Sequence, residues 1–131
     1  MTTGSTQSVA NPARAAALAF AADAVCVIIF VAVGRRNHAE GVTLAGIAET
    51  AWPFLTGTMV GWLLSRGWRQ PTALVPTGVT VWVATVVVGM ALRVISHAGI
   101  ALSFVLVTTL FTGATVLGWR AVRAVLARRA R

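Results

Sequence analysis

Few side chains in this sequence stand where they could do chemistry, and Asp23 is the most sharply placed of them. It lies at the centre of an apolar run over residues 15–33. If that run crosses a bilayer, a carboxyl group at its middle costs about 2.5–3.5 kcal/mol on insertion scales, so it requires a partner or a purpose. No arginine is expected at its depth, whereas Thr56, Thr58, Thr85, Thr108 and Thr109 fall at similar levels in other segments. Asp23 is therefore expected to point inward and take hydrogen bonds from hydroxyls, with Thr56 and Thr108 completing an intramembrane polar site. Two roles fit such a site. One is proton coupling or cation binding, common for intramembrane carboxylates. The other is a polar contact that fixes helix register.

A second set comprises Arg35, Arg36, His38, Glu40, Glu49, Arg93 and His97, all near the opposite helix ends. The planar fork of arginine suits carboxylate or phosphate, so Arg35 and Arg93 could hold an anion between two helices. They could equally pair with Glu40 and Glu49 or reach lipid phosphates. Arg35, His38, Glu49, Arg93 and His97 are expected to share one outer polar pocket, in which Arg93 contacts Glu49, Asp23 through water, or an anionic headgroup. No His-xxx-His or Cys-xx-Cys spacing supports a metal site, and no cofactor is expected. The single cysteine, Cys26, lies in an apolar run away from any cation that would activate it. No nucleophile stands with a base, so no enzyme is expected.

The composition says what must carry these residues. Of 131 residues, 57% are hydrophobic and 11% charged, and the net charge is +8. So few charges cannot cover an aqueous surface, which excludes an ordinary soluble domain, and so much apolar content excludes a disordered chain. The basic residues fall in the gaps between apolar segments. That is the pattern of membrane topology and not of a nucleic-acid-binding face.

An all-α, integral-membrane, antiparallel four-helix bundle follows, as one domain over residues 1–131. Residues 1–11 are expected to be disordered, with helices at about 12–33, 44–65, 73–95 and 98–118 and a basic amphipathic tail at 119–131. Asn11 can cap the first helix and Pro12 suits its first turn. Pro53 should bend the second helix near Glu49. Ser96 and His97 leave almost no loop, so the last two helices form a hairpin. Counting arginines beside each helix end gives Arg14, Arg66, Arg69, Arg120, Arg123, Arg128, Arg129 and Arg131 on one side. Arg35, Arg36 and Arg93 fall on the other, so both termini should be cytoplasmic.

Small residues mark contact faces between membrane helices. Gly57 and Gly61 form a small-xxx-small pair, and Gly89 and Gly113 offer further close approaches, within the chain in preference to a dimer face. The partners implied are the lipid bilayer, anionic lipid headgroups at the cytoplasmic face, and a second copy or another membrane protein. Nucleic acid is not among them.

The stretches Gly34-Arg35-Arg36-Asn37-His38, Ala51-Trp52-Pro53-Phe54-Leu55, Gly89-Met90-Ala91-Leu92-Arg93, Ser103-Phe104-Val105-Leu106-Val107 and Gly118-Trp119-Arg120, together with Asp23, carry a family signal. In them the chain resembles domain of unknown function family 3054. The resemblance implies a small bacterial inner-membrane protein and brings no activity, cofactor or catalytic residue with it. The expected role is an accessory or interaction subunit of a membrane complex. The alternative is a small-solute or ion transporter using Asp23. The small multidrug resistance family offers an analogy there, with four helices and an acidic residue in the first, but this sequence has no tyrosine and a steep arginine bias.

Overall fold

The computed structural model describes residues 11–36 and 42–130. Among them are four helices and no strand. The expectations placed on residues 1–10 and on His38 and Glu40 lie outside the described residues.

Helix α1 spans Pro12–Arg36. Its start is set by Asn11, whose side-chain oxygen accepts from the Ala13 and Arg14 amides at 2.9 and 3.3 Å, satisfying groups that a helix N-terminus leaves free. Ala19, Asp23, Val27, Phe30 and Val31 form its buried stripe, at the three- and four-residue spacing of one helix face. Helix α2 spans Leu44–Ser65 and is capped by the Thr43 hydroxyl, which accepts from the Gly46 amide at 3.0 Å. It runs without interruption through the buried Pro53.

Helix α3, Leu74–Ile95, is kinked at its start over Leu74–Gly78, where Val75 is extended (φ −124°, ψ 127°), and is regular from Val79. Helix α4 is the main departure from expectation. It begins at Leu102, after a turn in which His97 is left-handed (φ 65°), and it does not stop near residue 118. One continuous helix of 29 residues, Leu102–Ala130, includes the segment read as a separate tail. A π turn at Gly113–Leu117 lies within it.

Three of these helices, α1, α3 and α4, are long and apolar enough to cross a membrane. Helix α2 is long enough, but glycine, threonine and Glu49 dilute its apolar character. Many of those polar or small residues face protein: Gly46, Gly57, Thr58 and Gly61 are all buried. Gly57 and Gly61 lie directly on the α3 backbone, where an added Cβ would come within 2.7 Å of the Ala84 carbonyl oxygen and the Val81 Cα. Between them the Thr58 and Thr85 hydroxyls meet at 2.9 Å. Gly89 receives the ring of Phe54, and Gly113 that of Trp82, whose indole donates to the Thr109 carbonyl at 2.9 Å.

The apolar interior has two parts. One gathers Phe30, Phe54, Phe104 and Phe111 from α1, α2 and α4, with ring centroids 5.5–6.1 Å apart. The other surrounds Ala19, Trp62, Val81 and Val116, with Phe20 edge-on to Trp62 at 5.5 Å. The polar centre of the molecule sits in this second part.

Candidate functional site

Asp23 is fully buried, and its partners are not threonines. Its Oδ1 and Oδ2 each accept from the Arg120 guanidinium at 2.8 Å, from Nη1 and Nη2 respectively. The Trp119 indole also donates to Oδ1, at 3.0 Å, and the Trp62 indole to Oδ2, at 2.9 Å. Both oxygens thus accept two N–H donors and neither faces an acceptor. That is the pattern of an ionised carboxylate held by a bidentate fork.

Arg120 is as deeply buried as its partner. Its Nε donates to the Pro71 carbonyl at 3.1 Å and its Nη1 also to the Val116 carbonyl at 3.1 Å. Its guanidinium carbon lies 4.4 Å from the Trp119 ring centroid, close enough for a cation–π attraction. The arginine stem passes over Gly78, where a Cβ would stand 2.9 Å from Cδ. The Trp62 ring passes over Gly67 in the same way, a Cβ there falling 2.5 Å from the ring. One node therefore ties together α1 through Asp23, α2 through Trp62, the following connection through Pro71, the start of α3 through Gly78, and α4 through Trp119 and Arg120.

The expectation that no arginine reaches Asp23 is corrected here, and the reason is geometric. Asp23 is near the midpoint of α1 by residue count, but Trp62 and Arg120 each lie about 18 residues from the starts of α2 and α4, roughly 27 Å along. The node therefore belongs to the end of the molecule at which α2 leads into α3, and α4 carries Arg120 to it because the helix does not end where expected. The threonines go elsewhere. Thr56 donates to the Trp52 carbonyl at 2.8 Å, Thr108 to Phe104 at 2.6 Å and Thr109 to Val105 at 2.7 Å. A helical threonine always has the carbonyl four residues earlier within reach, which absorbs its proton locally.

At the other end, the arginines diverge. Arg35 donates from Nη1 to the Thr50 hydroxyl at 3.2 Å, and its guanidinium lies against Gly46 of α2. Arg93 donates from Nε and Nη2 to the Gly99 carbonyl, at 3.0 and 2.8 Å, and sits 4.5 Å from the Phe104 ring centroid. It closes the α3–α4 turn and does not pair with Glu49, and both Glu49 and His97 are exposed. The expected contacts of Arg93 with Glu49 and with Asp23 are therefore replaced by contacts inside its own turn. Among the described residues no group of His, Cys, Asp and Glu is placed to hold a metal ion.

Reading the sequence missed Trp62, gave Pro71 and Gly78 no part in a polar site, and counted Arg120 among the arginines of a basic tail beginning at Trp119. The model of the family described as "Protein of unknown function (DUF3054)" matches residues 20–123, a stretch that takes in Asp23, Trp62, Trp119 and Arg120. The chain belongs to the DUF3054 family. No curated protein and no solved structure matches it. The buried charge pair joins ionised groups from distant parts of the DUF3054 stretch.

Proposed function

We propose that this DUF3054 protein is a multi-pass protein of the bacterial inner membrane that serves as an accessory or interaction subunit of a membrane complex, without catalytic activity of its own. The observation that carries the reading is the occupied state of Asp23. A carboxylate that couples transport must release its partner or take up a proton, and here both oxygens are engaged by four donors on two other helices. Such a node serves assembly and register.

The arrangement we infer is an antiparallel four-helix bundle with both termini cytoplasmic. Support for the helix directions comes from paired contacts. Asp23, Phe30 and Arg35 meet Trp62, Phe54 and Thr50 in turn, and Gly57 and Gly61 meet Thr85 and Val81. Support for the orientation comes from charge. With Arg120 withdrawn into the interior, six arginines among the described residues, Arg14, Arg66, Arg69, Arg123, Arg128 and Arg129, still stand at one end, against Arg35, Arg36 and Arg93 at the other. The exposed Arg123, Arg128 and Arg129 on α4 would meet anionic headgroups there.

Isolation of the tagged protein from its native membrane, followed by identification of what accompanies it in fixed stoichiometry, tests the role. A stoichiometric membrane partner is expected. The transporter reading would replace this one if the purified protein in liposomes carried a proton- or cation-coupled flux that Asp23→Asn abolishes while the fold is kept.

A further inference from the structure

The π turn at Gly113–Leu117 stands directly before Trp119 and Arg120, and its effect on them can be worked out. An α-helix advances about 100° per residue, so over the eight residues from Thr112 to Arg120 an unbroken helix would leave Arg120 about 80° round from Thr112. Thr112 is buried and on the inward face. A π turn acts as one residue inserted into an α-helix, which sets everything after it back by about 100° and brings Arg120 to within about 20° of Thr112. The π turn is what points the guanidinium at Asp23.

The same arithmetic identifies what an α-helical turn would present instead. The seventh residue after Thr112 would then occupy the inward position, and that residue is Trp119. Trp119 already donates to Asp23 from beside the arginine. The two neighbours are thus alternative occupants of one place, a cation in the π register and a neutral indole donor in the α register. Carbonyls at both edges of the turn take side-chain donors in the observed register: Phe111 and Thr112 from the Thr115 hydroxyl at 2.9 and 3.3 Å, and Val116 from Arg120.

We infer that α4 is a two-register device, in which the negative charge on Asp23 holds the Gly113–Leu117 turn in π form and loss of that charge lets the segment after it rotate by about 100°, exchanging Trp119 for Arg120. Residues 122–130 are exposed, and among the described residues none of their side chains hydrogen-bonds or ion-pairs with another element. They turn as a unit, carrying Val122, Val125 and Leu126 and the arginines at 123, 128 and 129 to a new face. This goes beyond the proposed role, because it stands whether or not a partner reads that face.

The full-length protein in lipid nanodiscs, with spin labels at Leu18→Cys and Leu126→Cys in a Cys26→Ser background, provides the test. Deletion of Ala114 should let the turn become α-helical while keeping Arg120 seven residues beyond Thr112, so the label distance should stay as in the parent chain. Asp23→Asn in the parent chain should move the label on α4 by about 8 Å, the chord of such a rotation at a helix radius near 5 Å. Asp23→Asn combined with the deletion should restore the parent distance. A shift on deletion alone overturns the inference, and that arm does not depend on the Asn variant folding. An unshifted distance in Asp23→Asn overturns it as well, as does a shift that survives the deletion.

Discussion

Removing one half of the Asp23–Arg120 pair leaves a buried charge without its counterpart, at a typical cost of about 3–5 kcal/mol, whereas replacing both by apolar groups of similar volume is often neutral or better. The two halves are not equivalent here. Arg120→Met strands a carboxylate at the middle of α1 with only two indoles, and it is expected to show that full loss in denaturant unfolding in detergent. Asp23→Leu strands a guanidinium on a helix that can turn, and its loss should be clearly smaller. The double variant should return close to the parent stability, and a double variant as unstable as Arg120→Met would count against the pair as the dominant interaction. Asp23 stood out in the sequence because a carboxyl in an apolar run is visible by inspection. Arg120 did not, since the period of 3.6 residues places it away from the inward face and only the π turn brings it back. Trp62 went unmarked, because an indole N–H carries no sequence sign of what it donates to.

Between elements, the closest contact is the face on which α2 and α3 meet, where Gly57 and Gly61 admit the backbone of Val81, Ala84 and Thr85. Overpacking a site of this kind costs about 1–3 kcal/mol. Gly57→Leu and Gly61→Leu are each expected to lower the unfolding midpoint by that amount, whereas Gly34→Leu, where a Cβ meets nothing within 4 Å, should leave it unchanged. Equal effects at all three positions would mean that helix propensity and not packing is being measured. Helix existence and most boundaries were readable from apolar runs and from Asn11 and Pro12. The end of α4 was not, because Gly118 resembles a stop signal while lying in a continuous helix, and a terminal run of arginines looks like surface wherever it points. The α3–α4 turn is longer than Ser96 and His97 suggested, since Arg93 gathers the Gly99 carbonyl into it.

For the molecule as a whole, reporter fusions after Gly41, Gln70 and Arg131 are expected to read outside, inside and inside, and a periplasmic signal at Gln70 would overturn the orientation. Withdrawal of Arg120 from the surface count leaves that expectation standing, because the remaining excess of arginine lies on the same side. Asp23 and Arg120 are 97 residues apart in sequence, and this separation bears on how the protein is made. A chain that enters the membrane from its N-terminus exposes Asp23 to lipid long before its counter-charge has left the ribosome. Every unfinished product therefore carries an unpaired carboxyl in its first helix, and only synthesis through the last helix removes it. Chains truncated after Leu117 should accordingly be short-lived in pulse-chase measurements, with Asp23→Leu prolonging their survival. That outcome would make the pair a mark that distinguishes chains carrying Arg120 from chains that stop short of it.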